Sequence, residues 1–366
     1  MQTEDNLIPK AEIPDGYNTR QILNFNYRYW SDCFNERQLY ALSTLIKGIL
    51  GLPPEVSDKN TKEFLILLLS SCLEFNNMFC SFKGRGTGAV RHMFSHHVLS
   101  PEKVPLENNL WGTPESSGSF STLYYSKLRK AKEWCLRPVE RIINGGKEKE
   151  LIAPPLDKPI EARFAHSWVE LVNTDANAIV RCASSTSLVY IPDQQVDAVI
   201  TDPPYFDNVN YSELADFFYA WLGLVLKDYP EFQGENTRHE EEAIVNLTQG
   251  KTPDFYQDML FRVFREAHRV LKDEGALVFT FHHATDDAWI RVFKAIQDAG
   301  FYCAAAWPIQ GEMSVGVPLL GKKNAIEHDM ILVCRKWPPP NLSFSRWDQV
   351  FTRILVETDS LSQRTL

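Results

Sequence analysis

From residue 177 onward the chain alternates short β-branched runs with longer helical stretches, and this alternation narrows its fold more than any other feature. The runs are NAIVRCAS (177–184), VDAVIT (196–201), GALVFTF (275–281), FYCAAAW (301–307) and DMILVCR (329–335). Between the second and third lies SELADFFYAWLGLVL, whose apolar positions 214, 217, 218, 221, 222 and 225 share one helix face. A second helix is expected over 252–275, with Thr252 as cap, Pro253 at the first helical position and Gly275 past the end. Thr285 can cap a third, which Gly300 terminates. Such a pattern predicts crossover units and a mainly parallel sheet with helices on both faces. Ligands of such sheets bind outside the carboxyl ends of the strands.

Upstream the chain reads differently. NERQLYALSTLIKGIL and TKEFLILLLSSCLEF carry apolar residues at helical spacing, with Asn35 and Thr61 as expected N-caps. Residues 1–160 are expected to form a mostly helical region. It contains a Gly, Ser, His and Pro-rich segment at 81–122, too long for a simple connection and therefore expected to have a function. A basic helix, KLRKAKEWCLRPVERI, is expected after it. Residues 161–337 form the expected α/β unit, and 338–366 a proline-rich exit with one amphipathic segment.

The run VDAVIT brings Asp202 to the end of a central strand, followed by Pro203, Pro204 and Tyr205. Each proline fixes its own φ and holds the preceding residue extended, so Asp202 and Pro203 are both restrained. The turn presents two acceptors, the Asp202 carboxylate and the Pro203 carbonyl, beside an aromatic face. An amino group on a heteroaromatic ring is a poor nucleophile because its lone pair is delocalised. Two acceptors pulling on its hydrogens localise that pair, which suits alkylation by a positioned electrophile.

Asp202-Pro203-Pro204-Tyr205 resembles the catalytic motif of amino-group DNA methyltransferases. The wider chain resembles the C-terminal half of the large zinc-ribbon-containing prokaryotic adenine-specific methylases. The stretches that carry this resemblance are WSDCFNERQLYALSTL, FNNMFCSFKGRGTGAVRHMFSHH, TDPPYFDNVNYSELADFFYAWL, AHRVLKDEGALVFTFHH, AWPIQGEMS and DMILVCR. The resemblance implies a Rossmann-like S-adenosylmethionine-dependent methyltransferase sheet that transfers a methyl group to adenine N6 in DNA. Asp202 and the Pro203 carbonyl would hold the amine, Pro204 would stiffen the turn, and Tyr205 would stack on a base flipped from the helix. Phe206, Asp207, Asn208 and Tyr211 are candidates to touch the base or to order the turn by local hydrogen bonds, His282 and His283 to line the pocket mouth or to be structural, and Arg85 and Arg91 to contact phosphates or to sit on a solvated basic loop. Restriction-modification or phage defence is the implied setting.

The family's glycine-rich cofactor loop and the acidic end of its second strand have no clear counterpart here. The chain is expected to begin after both, so that a second polypeptide supplies most of the cofactor site. KGRGTGAV, with Gly84, Gly86 and Gly88, is the rival cofactor loop. The alternative functional reading is a non-catalytic DNA-binding or assembly subunit. Methylation of RNA or of a protein amide is a weaker one.

Other features exclude rather than assign. The N-terminus has no signal-like segment, and FLILLLSSCL (64–73) is too short to cross a bilayer, so a cytoplasmic protein is expected. Seven cysteines without a C-x-x-C pair suggest no zinc ribbon and no disulfide framework, and they are expected to be small buried hydrophobes. His92 and His96 have metal-compatible spacing, with His97 adjacent, but no ligand partner is fixed to them, and no metal is expected. A formal charge of -9 argues against a wholly basic surface and leaves room for a local one.

Overall fold

The structure, a computed structural model, describes residues 5–82, 90–94, 99, 101–102, 105–113, 116–144, 148–152, 158–237, 239–310 and 328–337. The helices are α1 (Thr19–Leu23), α2 (Glu36–Leu50), α3 (Lys59–Leu73), α4 (Phe120–Leu123), α5 (Lys130–Leu136), α6 (Trp168–Asn173), α7 (Tyr211–Leu222), α8 (Pro253–Val270) and α9 (Asp286–Asp298). The strands are β1 (Ser81–Phe82), β2 (Val90–Arg91), β3 (Glu140–Asn144), β4 (Glu148–Ile152), β5 (Val196–Thr201), β6 (Leu271–Phe281), β7 (Phe301–Gln310) and β8 (His328–Lys336). No described helix is long and apolar enough to cross a membrane.

The N-terminal region is helical, as its spacing predicts. Asn35 caps α2 by accepting from the Gln38 amide at 2.9 Å, while the Gln38 side chain accepts from the Asn35 amide at 3.0 Å. For α3 the cap is Asp58, which accepts from the Thr61 amide at 2.7 Å. Thr61, expected there, is the third helical residue, because the carboxylate three positions earlier is placed to reach its N–H. The apolar faces of α2 and α3 meet α7 in one core, where Phe34 stacks on Phe217 at 5.6 Å and meets Trp221 edge-on at 5.1 Å.

Glu213 ties this region to the rest. Fully buried in the first turn of α7, its carboxylate accepts from the amides of Tyr17 (3.0 Å), Asn18 (2.6 Å) and Thr19 (3.4 Å) and from the side chains of Asn246 (2.8 Å) and Gln249 (3.3 Å). Five donors converge on one anion, partly from the free N–H groups at the start of α1.

The main sheet has the order β5-β6-β8-β7. Only β5 and β6 are parallel, since β8 runs antiparallel to both its neighbours. The expectation of a mainly parallel sheet is therefore corrected. β8 lies between β6 and β7 and returns along them, so only one crossover pair remains. Leu277, Phe279 and Phe281 of β6 are buried with Leu260 and Phe264 of α8 and Val292 and Ala295 of α9. The alternate residues Ala276, Val278 and Thr280 are only half-buried, so among the described residues α8 and α9 cover one face of the sheet rather than helices covering both.

Three further local expectations fail. NAIVRCAS forms no strand; only an isolated bridge, Phe164 to Ala178, touches it, because no described strand lies beside it to complete a ladder. Helix α8 ends at Val270, well before Gly275, because Leu271 is already extended at the start of β6. The basic helix stops at Leu136, because Pro138 lacks an N–H to continue it and disfavours the helical conformation at Arg137, and Glu140–Asn144 pairs with β4. Gly300 does end α9 in a left-handed conformation (φ 86°). Cys33, Cys72, Cys80 and Cys334 are buried as expected, and burial pushes the Cys72 and Cys80 thiols up to about 12. Cys182 and Cys303 are exposed, the first in the NAIVRCAS stretch and the second on β7, an edge strand among the described residues.

β5 itself is an edge among the described residues, with β6 as its one partner strand. Ile200 on it is 79% exposed, and Val180 and Val189 in the preceding stretch are 78% and 85% exposed. A free row of strand N–H and C=O groups flanked by such side chains is a template for pairing.

Candidate active site

The parallel register of β5 and β6, Thr201 beside Phe279, brings Asp202 and Thr280 together at the carboxyl ends of the two strands. Tyr205 OH lies 2.7 Å from Asp202 Oδ1 and 2.8 Å from Thr280 Oγ1, and Thr280 Oγ1 donates to the same Asp202 oxygen. Two hydroxyls thus anchor Oδ1, and Oδ2 accepts nothing among the described residues. Burial above all, with the Asp202 carboxylate adding to it, holds the Tyr205 phenol far above its ordinary ionisation range. It stays a donor.

The remaining carbonyls divide the turn's work. Tyr256 OH donates to the Pro204 carbonyl at 2.9 Å, Asn208 N–H to Tyr205 O at 3.0 Å and Val245 N–H to Phe206 O at 2.9 Å. The Pro203 carbonyl has no partner among the described residues. Phe206 adopts φ 56°, uncommon for a side chain of that bulk, and is held there by edge-on contacts with Tyr256 (5.2 Å) and His283 (5.3 Å).

Both histidines border the turn. The Thr285 amide donates to His283 Nδ1 at 3.1 Å, so Nε2 carries the proton and donates to Asp207 Oδ1 at 2.9 Å. The His282 ring meets the Tyr205 ring edge-on at 4.7 Å, and its Nδ1 contacts Asp329 Oδ1. Tyr211 opens α7 and lines, with Asp202, Pro203, Ser184, Glu242 and Met259, a cavity of about 430 Å³ beside the turn.

Asp202, Pro203, Pro204, Tyr205, Phe206, Asp207, Asn208, Tyr211, His282 and His283 are thus brought together. Arg91, in β2 opposite Ser81, contributes to none of these contacts. Gly84, Arg85, Gly86 and Gly88 lie outside the described residues, as do His96 and His97. Sequence reasoning missed Thr280, Tyr256 and Asp329. A polar residue near the end of an otherwise apolar strand was a usable signal for Thr280. Tyr256 and Asp329 depend on how α8 and β8 pack. Among the described residues no group of His, Cys, Asp and Glu is placed to hold a metal.

The expected result of removing these hydroxyls is specific. In any reaction that this turn carries, Tyr205→Phe and Thr280→Val would each cost about one hydrogen bond, roughly fivefold in rate, with affinity for what binds there nearly unchanged. Wild-type turnover should show no alkaline loss near pH 10, where an ordinary tyrosine ionises, because the folded phenol stays protonated there. Steady-state kinetics across pH would check both.

Comparison with known proteins places these residues in context. None of the curated proteins matches the chain. Two structures of one protein from Thermus thermophilus, described provisionally as a DNA modification methylase, are 19% identical to it with TM-scores of 0.25. They align with 45% and 46% of this chain, which spans about half of their length, 54% and 56%. Residues 196–365, the segment that begins with β5 and contains the Asp202 turn, β6 and the strands that follow, match the DNA methylase family model for N6 and N4 methyltransferases.

Proposed function

We propose that this chain is the target-base half of a DNA methyltransferase that uses S-adenosylmethionine to methylate adenine N6. The observation that carries the reading is the pairing of two free acceptors, Asp202 Oδ2 and the Pro203 carbonyl, on a stiffened turn at the carboxyl end of β5. That turn lies inside the segment matching the DNA methylase model.

Bound in the cavity beside the turn, S-adenosylmethionine would supply an electrophilic methyl group on a sulfonium. The residues present fit such a molecule: the cavity is of ligand size, Ser184 and Glu242 line it with polar groups, and Met259 and Leu260 give an apolar wall. Asp202 and the Pro203 carbonyl take the two N–H groups of a flipped adenine, which localises the nitrogen lone pair. When bound, the sulfonium would supply the methyl group and take the electron pair of the bond it gives up, while Asp202 and the Pro203 carbonyl hold the nitrogen that accepts the methyl. Asp202 offsets the positive charge that develops on nitrogen, and the nitrogen then releases a proton to solvent. Thr280 and Tyr205 hold Oδ1 so that Oδ2 keeps its aim. The extruded base, freed of its stack at a cost of a few kcal/mol, meets the aromatic edge of the turn.

The exposed edge of β5 supports a second polypeptide in this reading. A parallel strand added there would cover Ile200 and stand next to the cavity, where it would complete the cofactor site. DNA as substrate implies a cytoplasmic setting, and a restriction-modification or phage-defence system is the context the reading suggests.

The test is incorporation of labelled methyl groups into DNA by the chain alone and with the product of the neighbouring gene, read after digestion to nucleosides. The expected result is N6-methyladenine formed only with the second polypeptide. N4-methylcytosine would overturn the base assignment, full activity of the chain alone would overturn the partner, and no incorporation in either case would overturn the methyltransferase reading.

A further inference from the structure

The long segment before residue 122 contains a second constellation that the turn does not explain. Trp111 is 63% exposed yet firmly placed. Its carbonyl accepts from the Ser121 amide (3.1 Å) and hydroxyl (2.6 Å), the Leu110 carbonyl accepts from Phe120 N–H (2.8 Å), and its ring stacks on Phe120 at 6.0 Å and 24°. Gly112 turns the chain just after it with φ 86°, and a Cβ there would lie 1.8 Å from the Ser119 hydroxyl. The Asn109 side chain accepts from the Gly112 amide at 2.9 Å, and the Thr122 hydroxyl donates to the Thr113 carbonyl at 2.6 Å. A tryptophan held in water by this much polar structure is not filling a core.

Trp111, Leu65, Phe120, Tyr124 and Tyr125 line an open groove of about 470 Å³. A π-helical turn, Tyr124–Arg129, links α4 to α5, and such turns are frequent at functional sites. Tyr125 is 57% exposed, with the Arg129 guanidinium 5.9 Å from its ring centre. Over residues 124–137, Lys127, Arg129, Lys130, Lys132 and Arg137 face a single acid, Glu133, in a chain of formal charge -9. All five cations are exposed.

Aromatic platforms rimmed by cations suit one polymer: stacking holds unpaired bases, and the cations meet the phosphates between them. We propose that the Trp111–Tyr125 groove and the cationic helix that follows it are a second DNA contact, apart from the Asp202 turn, which binds an unpaired stretch of the strand. The proposal rests on the reading of DNA as substrate and adds where the strand is held.

The experiment titrates the full chain with a labelled single-stranded DNA oligonucleotide of about a dozen nucleotides, within the site sizes of stacking platforms. Trp111→Ala is expected to weaken binding about tenfold, as loss of one stacked base does, with the salt dependence unchanged and Trp111→Phe restoring most of the affinity. The double variant K127E/K130E is expected to weaken binding and to lower the slope of log affinity against log salt by about 1.4, two single-strand phosphates at about 0.7 each. Wild-type affinity in Trp111→Ala and in the double variant overturns the groove, as does tighter binding of RNA of the same sequence. Methyl transfer by the same variants with the second polypeptide added separates the two readings. Transfer with unaltered oligonucleotide affinity in the variants rejects the groove alone, while Trp111-dependent binding without transfer rejects the turn's chemistry alone.

Discussion

Asp202→Ala is expected to lower methyl transfer by at least about 10²–10³-fold, the loss typical of removing one preorganised group that stabilises developing charge. The fold should be unaffected, because Asp202 is exposed and its bonds are to two hydroxyls that can turn to each other or to water. Affinity for DNA should change little, since the carboxylate acts mainly on the reacting nitrogen. Asp202→Asn provides the sharper comparison. An asparagine keeps one oxygen for the amine, while its NH₂ can donate to Tyr205 or Thr280, both of which can accept. It should retain well over tenfold more activity than the alanine variant. Single-turnover methyl transfer with DNA in excess measures the chemical step directly. Equal activity of wild-type and Asp202→Ala would remove the turn from the chemistry altogether.

The largest effect on stability is expected from Glu213→Ala. The substitution leaves three backbone amides and two side-chain amides without their shared acceptor, three of these bonds being buried and two part-buried. Each buried N–H left without an acceptor costs about 1–3 kcal/mol, so a total loss of several kcal/mol is expected. Glu213→Gln should cost less, because one oxygen remains to accept while the new NH₂ opposes donors. Gly16 makes the site intolerant of other repairs, since a Cβ there would sit 2.4 Å from the Glu213 carboxyl carbon. Urea unfolding followed by circular dichroism checks the prediction through a lower midpoint at an unchanged slope. Activity should fall as well. Asn246, which donates to Glu213, also donates to Asn210 at 3.0 Å, at the residue that joins the Asp202 turn to α7.

Local chemistry made the elements of the second half readable in advance. Thr252 and Pro253 start α8, Thr285 precedes α9, Gly300 ends it, and four of the five β-branched runs are strands. These signals act within a few residues, through caps, fixed φ angles and alternation, and so survive in a linear sequence. The Asp202 turn was readable for the same reason, because two prolines impose its shape wherever it is placed.

What tertiary structure decided is everything that depends on a distant partner. NAIVRCAS has the composition of a strand but, among the described residues, only the isolated bridge from Ala178 to Phe164 as pairing, and a strand is stabilised by pairing rather than by its own residues. The direction of β8 could not be read from DMILVCR, since a short apolar run is the same parallel or antiparallel. Thr280 became a partner of Asp202 through the register of two strands, and Tyr256 took the Pro204 carbonyl through the docking of α8. By itself the sequence determined the turn and its two acceptors, through local steric restriction. Only the folded chain decided which acceptors stay free, because Thr280, Tyr256 and Val245 reach the others from distant parts of the chain, alongside local bonds from Tyr205 and Asn208.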